Sequence, residues 1–488
     1  MVATHLIASL KKPLVKVEKT LANLSIATNG LRVRADLCHE LDPTVLRKSF
    51  SGLLVYALRD KSCGGSFQGT PEQRRRKLVE AAAVFDLIEL DEALDLTPEM
   101  LDKIPTEKRL LAWRGEAQNP TQLRLHIRRM LAVPARYYLV APEARRISEG
   151  MVPLRLLHDL KRSDVIAYAS GASGTWTRPL SAYLGSPIVF GSLEDTPDEI
   201  STARLTRDFD LPNHKPISEL FGVVGPDVSR SPSPRLHNAG YRALSRDALY
   251  LPFNATSFPE FRVDCLSTSA FSDLGLKLSG LTVVAPYKEQ ALAVATSLEE
   301  IAAISGGANI LVRTEQGWYA GTSDPSGIRV PTKNMQLSGA RAAVLGCGGA
   351  GRAAIAILKQ AGARVTLVNH NQGRGRLAAT LLSVGFMPLK RFSPKGFSLI
   401  VNATPMGAQG ESPPFSLRQA DPNTALLEYV LSEKSTPLIS DAREQGMQVI
   451  DGWDVLCAQT SHQFQLLTGQ ELPPTIIPEF LDKRSMFQ

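Results

Sequence analysis

The chain has 488 residues, room for roughly two to four domains. Hydrophobic residues at 43% and charged residues at 21% are ordinary globular proportions and exclude a disordered or fibrous chain. A net charge of +7 spread over this length, with no basic stripe interleaved with aromatics, gives no reason to expect nucleic acid as a partner. The densest basic run, Arg74-Arg75-Arg76-Lys77, reads as a solvated helix face. No apolar run reaches the length of a membrane span, and the first residues lack a signal-peptide pattern. Five scattered cysteines (Cys38, Cys63, Cys265, Cys347 and Cys457) form neither a disulfide framework nor a metal-ligand pattern. A cytoplasmic protein without a metal is expected.

In chain order, eight short apolar runs (5–10, 31–37, 53–58, 87–90, 110–113, 137–141, 165–169 and 187–190) alternate with helix-like stretches. Eight βα units in this span predict a (β/α)8 barrel over residues 1–208. Residues 208–218 hold two prolines, an asparagine and a histidine with little apolar periodicity, so 209–218 reads as a linker. Apolar runs 221–225, 250–253 and 281–285 then predict an α/β lobe over 219–325, to which the helical last segment, 450–488, is expected to return. Residues 326–449 read as a nucleotide-binding lobe, and the cleft between these two lobes is the expected ligand position. The fold class is therefore α/β throughout.

The most informative stretch is Val344-Leu345-Gly346-Cys347-Gly348-Gly349-Ala350-Gly351-Arg352-Ala353. An apolar strand precedes it and a helical pattern follows, so Gly346, Gly348 and Gly351 carry the G-x-G-x-x-G spacing in its proper context. Glycine permits a tight turn, close approach of backbone to a pyrophosphate, and tight helix–strand packing, while the helix N-terminus offers free N–H groups to phosphate. Gly349 and Ala350 lie inside the same loop. An NAD site places Asp or Glu about 20 residues beyond the first glycine. Here the next strand ends in neutral Asn369, with Arg374 shortly after. An arginine pairs with a 2′-phosphate and a carboxylate would repel one, so NADP is favoured.

At this point the residues resemble a family. The second half, nearly all of 217–488, is similar to shikimate dehydrogenase. The resemblance rests on Ser231-Pro232-Ser233-Pro234-Arg235-Leu236-His237-Asn238, Pro286-Tyr287-Lys288-Glu289, Gly307-Ala308-Asn309, Gly321-Thr322-Ser323-Asp324, Asn402-Ala403-Thr404-Pro405-Met406-Gly407, and the stretch from Gly452 to Gln459. It implies reversible reduction of the ring ketone of 3-dehydroshikimate to shikimate by NADPH, within aromatic biosynthesis. Lys288 and Asp324 become the acid/base pair. Ser231 and Ser233 are implied to bind the substrate carboxylate, and Asn309, Ser323 and Gln459 its hydroxyls. Asn402, Thr404 and Met406 are implied to line the nicotinamide side of the cofactor, with Gly452 near it. Several positions depart from the family: Val284 stands where a threonine is usual, Thr322 replaces an asparagine, Leu431 replaces a tyrosine (with Tyr429 two residues earlier), and Asn369-His370-Asn371 replaces an N-R-T cofactor clamp.

The first half is similar, more faintly, to type I 3-dehydroquinate dehydratase, through Arg34-Ala35-Asp36, Arg59 with Gly64-Gly65, Glu89, Arg178 and Gly185-Ser186-Pro187 leading to Phe190-Gly191-Ser192. The combination resembles bifunctional dehydratase–dehydrogenase proteins. That dehydratase mechanism needs a lysine on the sixth strand and a histidine at the end of the fifth. No lysine occurs from Arg109 to Leu160, and Arg114 stands in the histidine's place. Arginine forms no imine and is a poor proton shuttle at neutral pH, so the barrel is expected to lack dehydratase activity. Rival readings are a quinate/shikimate dehydrogenase using NAD, a bifunctional enzyme recruiting Lys161, and a non-catalytic ligand sensor. Oligomeric state is left open.

Overall fold

The computed structural model of the chain describes residues 4–12, 21, 24, 26–38, 43–116, 119–266, 270–408, 411–432 and 434–485. Its first eight strands are β1 (His5–Leu10), β2 (Gly30–Arg34), β3 (Leu53–Ala57), β4 (Leu87–Asp91), β5 (Arg109–Trp113), β6 (Tyr137–Val140), β7 (Val165–Ala167) and β8 (Ile188–Ser192). They form one parallel sheet in the order β7-β6-β5-β4-β3-β2-β1-β8, with β8 wrapped back beside β1. Successive side chains on a strand point to opposite faces. One set, including Ile7, Val55, Leu87, Leu110, Leu139, Ile166 and Ile188, fills the barrel interior. The alternate set, including Ala8, Leu31, Leu54, Ile88 and Leu111, joins the larger core that also holds the helix residues Leu78, Ile127 and Leu157.

The helices start where the sequence supplies caps. Pro71–Ala81, Pro98–Lys103 and Pro120–Leu131 each begin with proline, and Thr70, Thr97 and Asn119 accept backbone N–H groups of the first turn through their side-chain oxygens. The last barrel helix, Thr202–Phe209, includes Asp208, which is buried and paired with Arg204 and Arg207. Asp208 thus belongs to the barrel, and the irregular stretch starts after it.

The fold divides into two units, Met1–Leu278 and Ser279–Gln488. In the first, the barrel is followed by β9 (Glu219–Gly225), the helix Ser233–Ala243 and β10 (Ala248–Asn254), which pairs in parallel with β9. The division falls inside β11 (Lys277–Val283).

In the second unit β11 pairs antiparallel with β13 (Ile310–Thr314), and β13 pairs antiparallel with β14 (Gly317–Gly321). The two-residue β12 (Ser297–Leu298) runs parallel to β14. These last three strands are short and glycine-punctuated, and their apolar runs are too brief to stand out in sequence. Six further strands are β15 (Arg341–Leu345), β16 (Arg364–Asn369), β17 (Gly385–Pro388), β18 (Leu399–Asn402), β19 (Ala425–Glu428) and β20 (Gln448–Ile450). All are parallel, in the order β17-β16-β15-β18-β19-β20, the doubly wound arrangement of a dinucleotide fold. The strand order reverses between β15 and β18, so the glycine loop after β15 and the Asn402–Gly407 loop after β18 stand side by side at the switch point. The helix Gly452–Thr468 packs on β13 and on the short helix Ser326–Arg329.

Candidate active site

Lys288 opens the helix Lys288–Leu292, just past the end of β11, and Asp324 follows β14. The Lys288 ammonium donates to both carboxylate oxygens of Asp324, at 2.9 and 2.7 Å. Asp324 is 2% exposed, and two amides brace it: Asn309 Nδ2 at 2.8 Å and Gln459 Nε2 at 3.1 Å, both to Oδ1. Four expected residues from four separate segments therefore meet at one carboxylate. Ser323 joins them, because Asn309 Oδ1 accepts its backbone N–H at 2.8 Å and Asn309 Nδ2 donates to its hydroxyl at 3.0 Å. Thr322, in the family's asparagine position, accepts the Asp324 backbone N–H through its hydroxyl, so it shapes the turn.

The glycine loop shows three distinct reasons for glycine. Gly346 has φ of +102°, the left-handed region that side chains avoid. Above Gly348 there is open space: an added Cβ meets nothing within 4 Å. At Gly351 an added Cβ falls 2.1 Å from the Gly346 carbonyl oxygen, so helix and turn pack at a distance only glycine allows. The helix Gly349–Gln360 has no side-chain cap, which leaves its first N–H groups for an anion. An open cradle, an uncapped helix start and a bare backbone fit a pyrophosphate. An added Cβ on Gly349 would lie 3.3 Å from Lys288 Cδ, so the lysine stem runs alongside this loop.

Asn369 ends β16, and its amide donates to the Asn371 carbonyl oxygen at 2.9 Å. Arg374 sits exposed in the first turn of the helix Gln372–Leu382, whose cap Asn371 accepts the Arg374 backbone N–H. Asn402 is fully buried, and its side chain is committed to its own loop. It donates to Glu428 at 2.8 Å and the Met406 carbonyl at 3.3 Å, and accepts from the Thr404 hydroxyl at 2.7 Å. Gly452 is also a packing glycine, since an added Cβ would lie 2.3 Å from the Val430 carbonyl oxygen.

Ser231 and Ser233 belong to the first unit. Ser231 Oγ accepts the Ser233 backbone N–H at 3.3 Å at the start of the helix Ser233–Ala243. Arg204, from the last barrel helix, donates to the backbone carbonyls of Ser229 and Ser231 while held by Asp208 at 2.8 Å. A buried barrel arginine thus pins the serine loop.

Besides Tyr429, noted above near the family's tyrosine position, three residues of these surroundings are not legible from motif spacing. Gln463 donates to the Ser323 hydroxyl at 3.0 Å. Glu428 holds Asn402 and accepts from Thr436, and burial keeps its carboxyl above the ordinary range despite those hydrogen bonds. The Tyr429 hydroxyl has no hydrogen-bond partner, and burial, with the Asp324 charge nearby, pushes it well above the usual phenol range. Arg204 is the third unread residue. One helical turn beyond Gln459, Gln463 was the most findable, because i and i+4 share a helix face.

At the barrel's C-terminal mouth, the inward residues after the apolar layers are charged. Glu89, at 3% exposure, faces Arg59 Nε at 2.8 Å, Arg114 Nη2 at 3.0 Å and Arg32 Nη1 at 3.7 Å. Burial opposes its ionisation, but Arg114, Arg59 and Arg32 together hold its carboxyl well below the ordinary value. Arg34 makes a closed pair with Asp36 at 2.9 and 2.7 Å. Ala141, just after β6, lines this cavity, as does Arg114 after β5. Lys161 caps the far end of the helix Ile147–Leu160 and does not line it. Lys11, a residue the sequence reading passed over, does, paired with Glu199.

Residues 17–211 match the family of type I 3-dehydroquinases, and residues 223–311 match the substrate-binding domain of shikimate dehydrogenase. A shikimate dehydrogenase (NADP(+)) of Caulobacter vibrioides is 34% identical over 269 residues, 52% of this chain and 91% of that protein. The chloroplastic bifunctional 3-dehydroquinate dehydratase/shikimate dehydrogenase of Arabidopsis thaliana is 24% identical over 495 residues, 93% of this chain and 80% of that one. A solved shikimate dehydrogenase in complex with NADP+ superposes with a TM-score of 0.50 at 20% identity, over 55% of this chain and 96% of its own, a likeness of fold. With a relative at this identity covered almost end to end, and a type I dehydroquinase domain ahead of it, the chain belongs to the shikimate dehydrogenase family.

Proposed function

We propose that the second half of the chain reversibly reduces 3-dehydroshikimate to shikimate with NADPH, and that the barrel half does not dehydrate 3-dehydroquinate. The observation that carries the first part is the Lys288–Asp324 pair, braced by Asn309 and Gln459 and set beside Gly349 of the nucleotide loop. The relatives named for NADP and shikimate support the same reading. Gly346, Gly348, Gly349, Ala350 and Gly351 would hold the pyrophosphate, Arg374 the 2′-phosphate, and the loop shaped by Asn402, Thr404 and Met406 the nicotinamide side. Bound reduced cofactor would supply the hydride, the chemistry no side chain here provides.

The protein's task is the proton. As the ketone becomes an alkoxide, Lys288 Nζ donates a proton to that oxygen, and the neutral amine recovers one from solvent. Asp324 keeps Lys288 aimed, and Asn309 and Gln459 stop the carboxylate from swinging away. Ser231 and Ser233 would hold the substrate carboxylate, with the loop fixed from behind by Arg204. A small-molecule substrate is thus the partner. No helix among the described residues is long and apolar enough to cross a membrane.

For the barrel, the amine and imidazole of the dehydratase chemistry have no counterpart at the ends of β5 and β6, where Arg114 and Ala141 follow the strands and line the cavity. The test of the whole reading follows nicotinamide absorbance with shikimate and NADP, and with quinate and NAD in parallel. NADPH formation with shikimate is expected. Turnover only with quinate and NAD would reassign both substrate and cofactor, and no turnover by folded protein would refute the reading.

A further inference from the structure

The barrel mouth encloses a cavity of about 340 Å³ lined by Lys11, Arg32, Arg34, Arg59, Arg114 and Arg178 among others. Its deep wall is over-supplied with cations. Three guanidinium groups, of Arg32, Arg59 and Arg114, face one buried carboxylate, Glu89, an excess of two positive charges at this wall; Asp36 is matched by Arg34, Glu199 lies between Lys11 and Arg178, and Glu116 and Glu143 stand exposed at the rim. The hydrogen bonds tell the same story. Arg32 spends Nε and Nη2 on the Ser9 hydroxyl, at 3.1 and 2.7 Å, but Nη1 has no hydrogen-bond partner. Arg114 Nη2 is paired with Glu89 at 3.0 Å, and Arg178 Nε has no hydrogen-bond partner. Arg32 is 2% exposed and Arg178 4%, so water does not freely serve these donors. Buried donors and charges left unmatched are costly, and proteins keep them where a ligand completes the set.

We propose that the barrel mouth is a non-covalent receptor for a compact dianion, held by Arg32, Arg59, Arg114 and Arg178. The excess of two positive charges at the deep wall sets the ligand's charge, and guanidinium forks suit the paired oxygens of a carboxylate or a phosphate. The same replacement that removes imine chemistry thus builds the anion site. Arg114 supplies a permanent charge where a proton shuttle would stand, and Ala141 leaves the space a lysine would fill. The amine that lines the cavity, Lys11, is tied to Glu199 in a pair that adds no net charge. This does not depend on the dehydrogenase reading, since every residue belongs to the barrel.

The test is calorimetric titration of the full-length protein at constant ionic strength with inorganic phosphate, with malonate, and with acetate as the monoanion control. Binding of phosphate, malonate or both, at least tenfold tighter than acetate, is the expected result, and which of the two binds identifies a phosphorylated or a dicarboxylate ligand. Arg114→Gln and Arg178→Gln should each weaken that binding tenfold or more. Ala141→Glu places a carboxylate in the cavity without removing an arginine; it should abolish binding, raise the melting temperature by several degrees and leave shikimate oxidation unchanged. No binding of either dianion, equal binding of acetate, or undiminished binding by folded Ala141→Glu protein would overturn the proposal. So would borohydride trapping of a keto acid on Lys11, which would make the site covalent.

Discussion

The two charged sites of this chain are built on opposite rules. At Lys288 one amine meets one carboxylate, and two amides complete the carboxylate's hydrogen bonds. The pair is balanced, and the ammonium can give up its proton. At Glu89 one carboxylate meets three guanidinium groups, none of which releases a proton near neutral pH. On the reading proposed above, the first arrangement moves protons and the second only attracts an anion. What separates catalysis from binding here is which cation stands beside the carboxylate and in what ratio.

The largest expected effect breaks the first arrangement. Lys288→Ala should lower kcat by about 10³-fold, within the range of general acid catalysis, with little change in melting temperature. Lys288→Arg should not rescue it, because a guanidinium keeps its proton. Near-normal turnover of either variant, measured by steady-state nicotinamide absorbance, would remove the proton-donor role.

Next comes the second arrangement. Glu89→Gln removes the one counter-charge and should destabilise the barrel by about 3–5 kcal/mol at neutral pH. The sign with pH follows from a carboxyl whose folded-state pKa lies well below its unfolded value. Its stabilisation is fully present above the ordinary carboxylate pKa, about 4, and is lost as pH falls towards the folded value. Denaturant unfolding of wild type and variant should therefore converge in acid. A constant difference down to the lowest usable pH would contradict the buried ion cluster.

Two smaller effects sharpen the comparison. Arg374→Ala should raise KM for NADP about tenfold and leave KM for NAD unchanged, the loss of one charge-assisted contact. Arg204→Met should raise KM for shikimate about tenfold with kcat nearly kept, because it frees the Ser229 and Ser231 carbonyls of a hydrogen-bonded clamp. If Arg204→Met left both constants alone, the barrel would have no part in shaping the serine loop.

Much of this was legible before the structure. The eight barrel strands appear as apolar runs because their interior is filled by alternate residues such as Ile7, Val55 and Leu110. The glycine loop is legible because Gly346, Gly348 and Gly351 act within six residues, each for a local backbone reason. Lys288, Asp324, Asn309 and Gln459 were named through motifs, but their convergence on one carboxylate is a property of the fold. The unread part is long-range. Nothing near Arg204 in sequence says that it reaches Ser231, nor near Glu428 that it holds Asn402. Arg114 was visible as a departure, yet the contact that it and Arg32 share with Glu89 appears only once β2 to β5 are assembled in one sheet. Asn402 was expected beside the cofactor; its complete burial and its bonds to Glu428, Met406 and Thr404, which shape its loop, are not visible in the motif.

The contrast between the two halves is tested most directly by giving the full chain NADPH with 3-dehydroshikimate in one reaction and with 3-dehydroquinate in another, and following the appearance of shikimate. The account predicts shikimate from 3-dehydroshikimate alone. Shikimate from 3-dehydroquinate would show a working dehydratase in the barrel, and none from either substrate would show that the balanced pair at Lys288 does not catalyse this reduction.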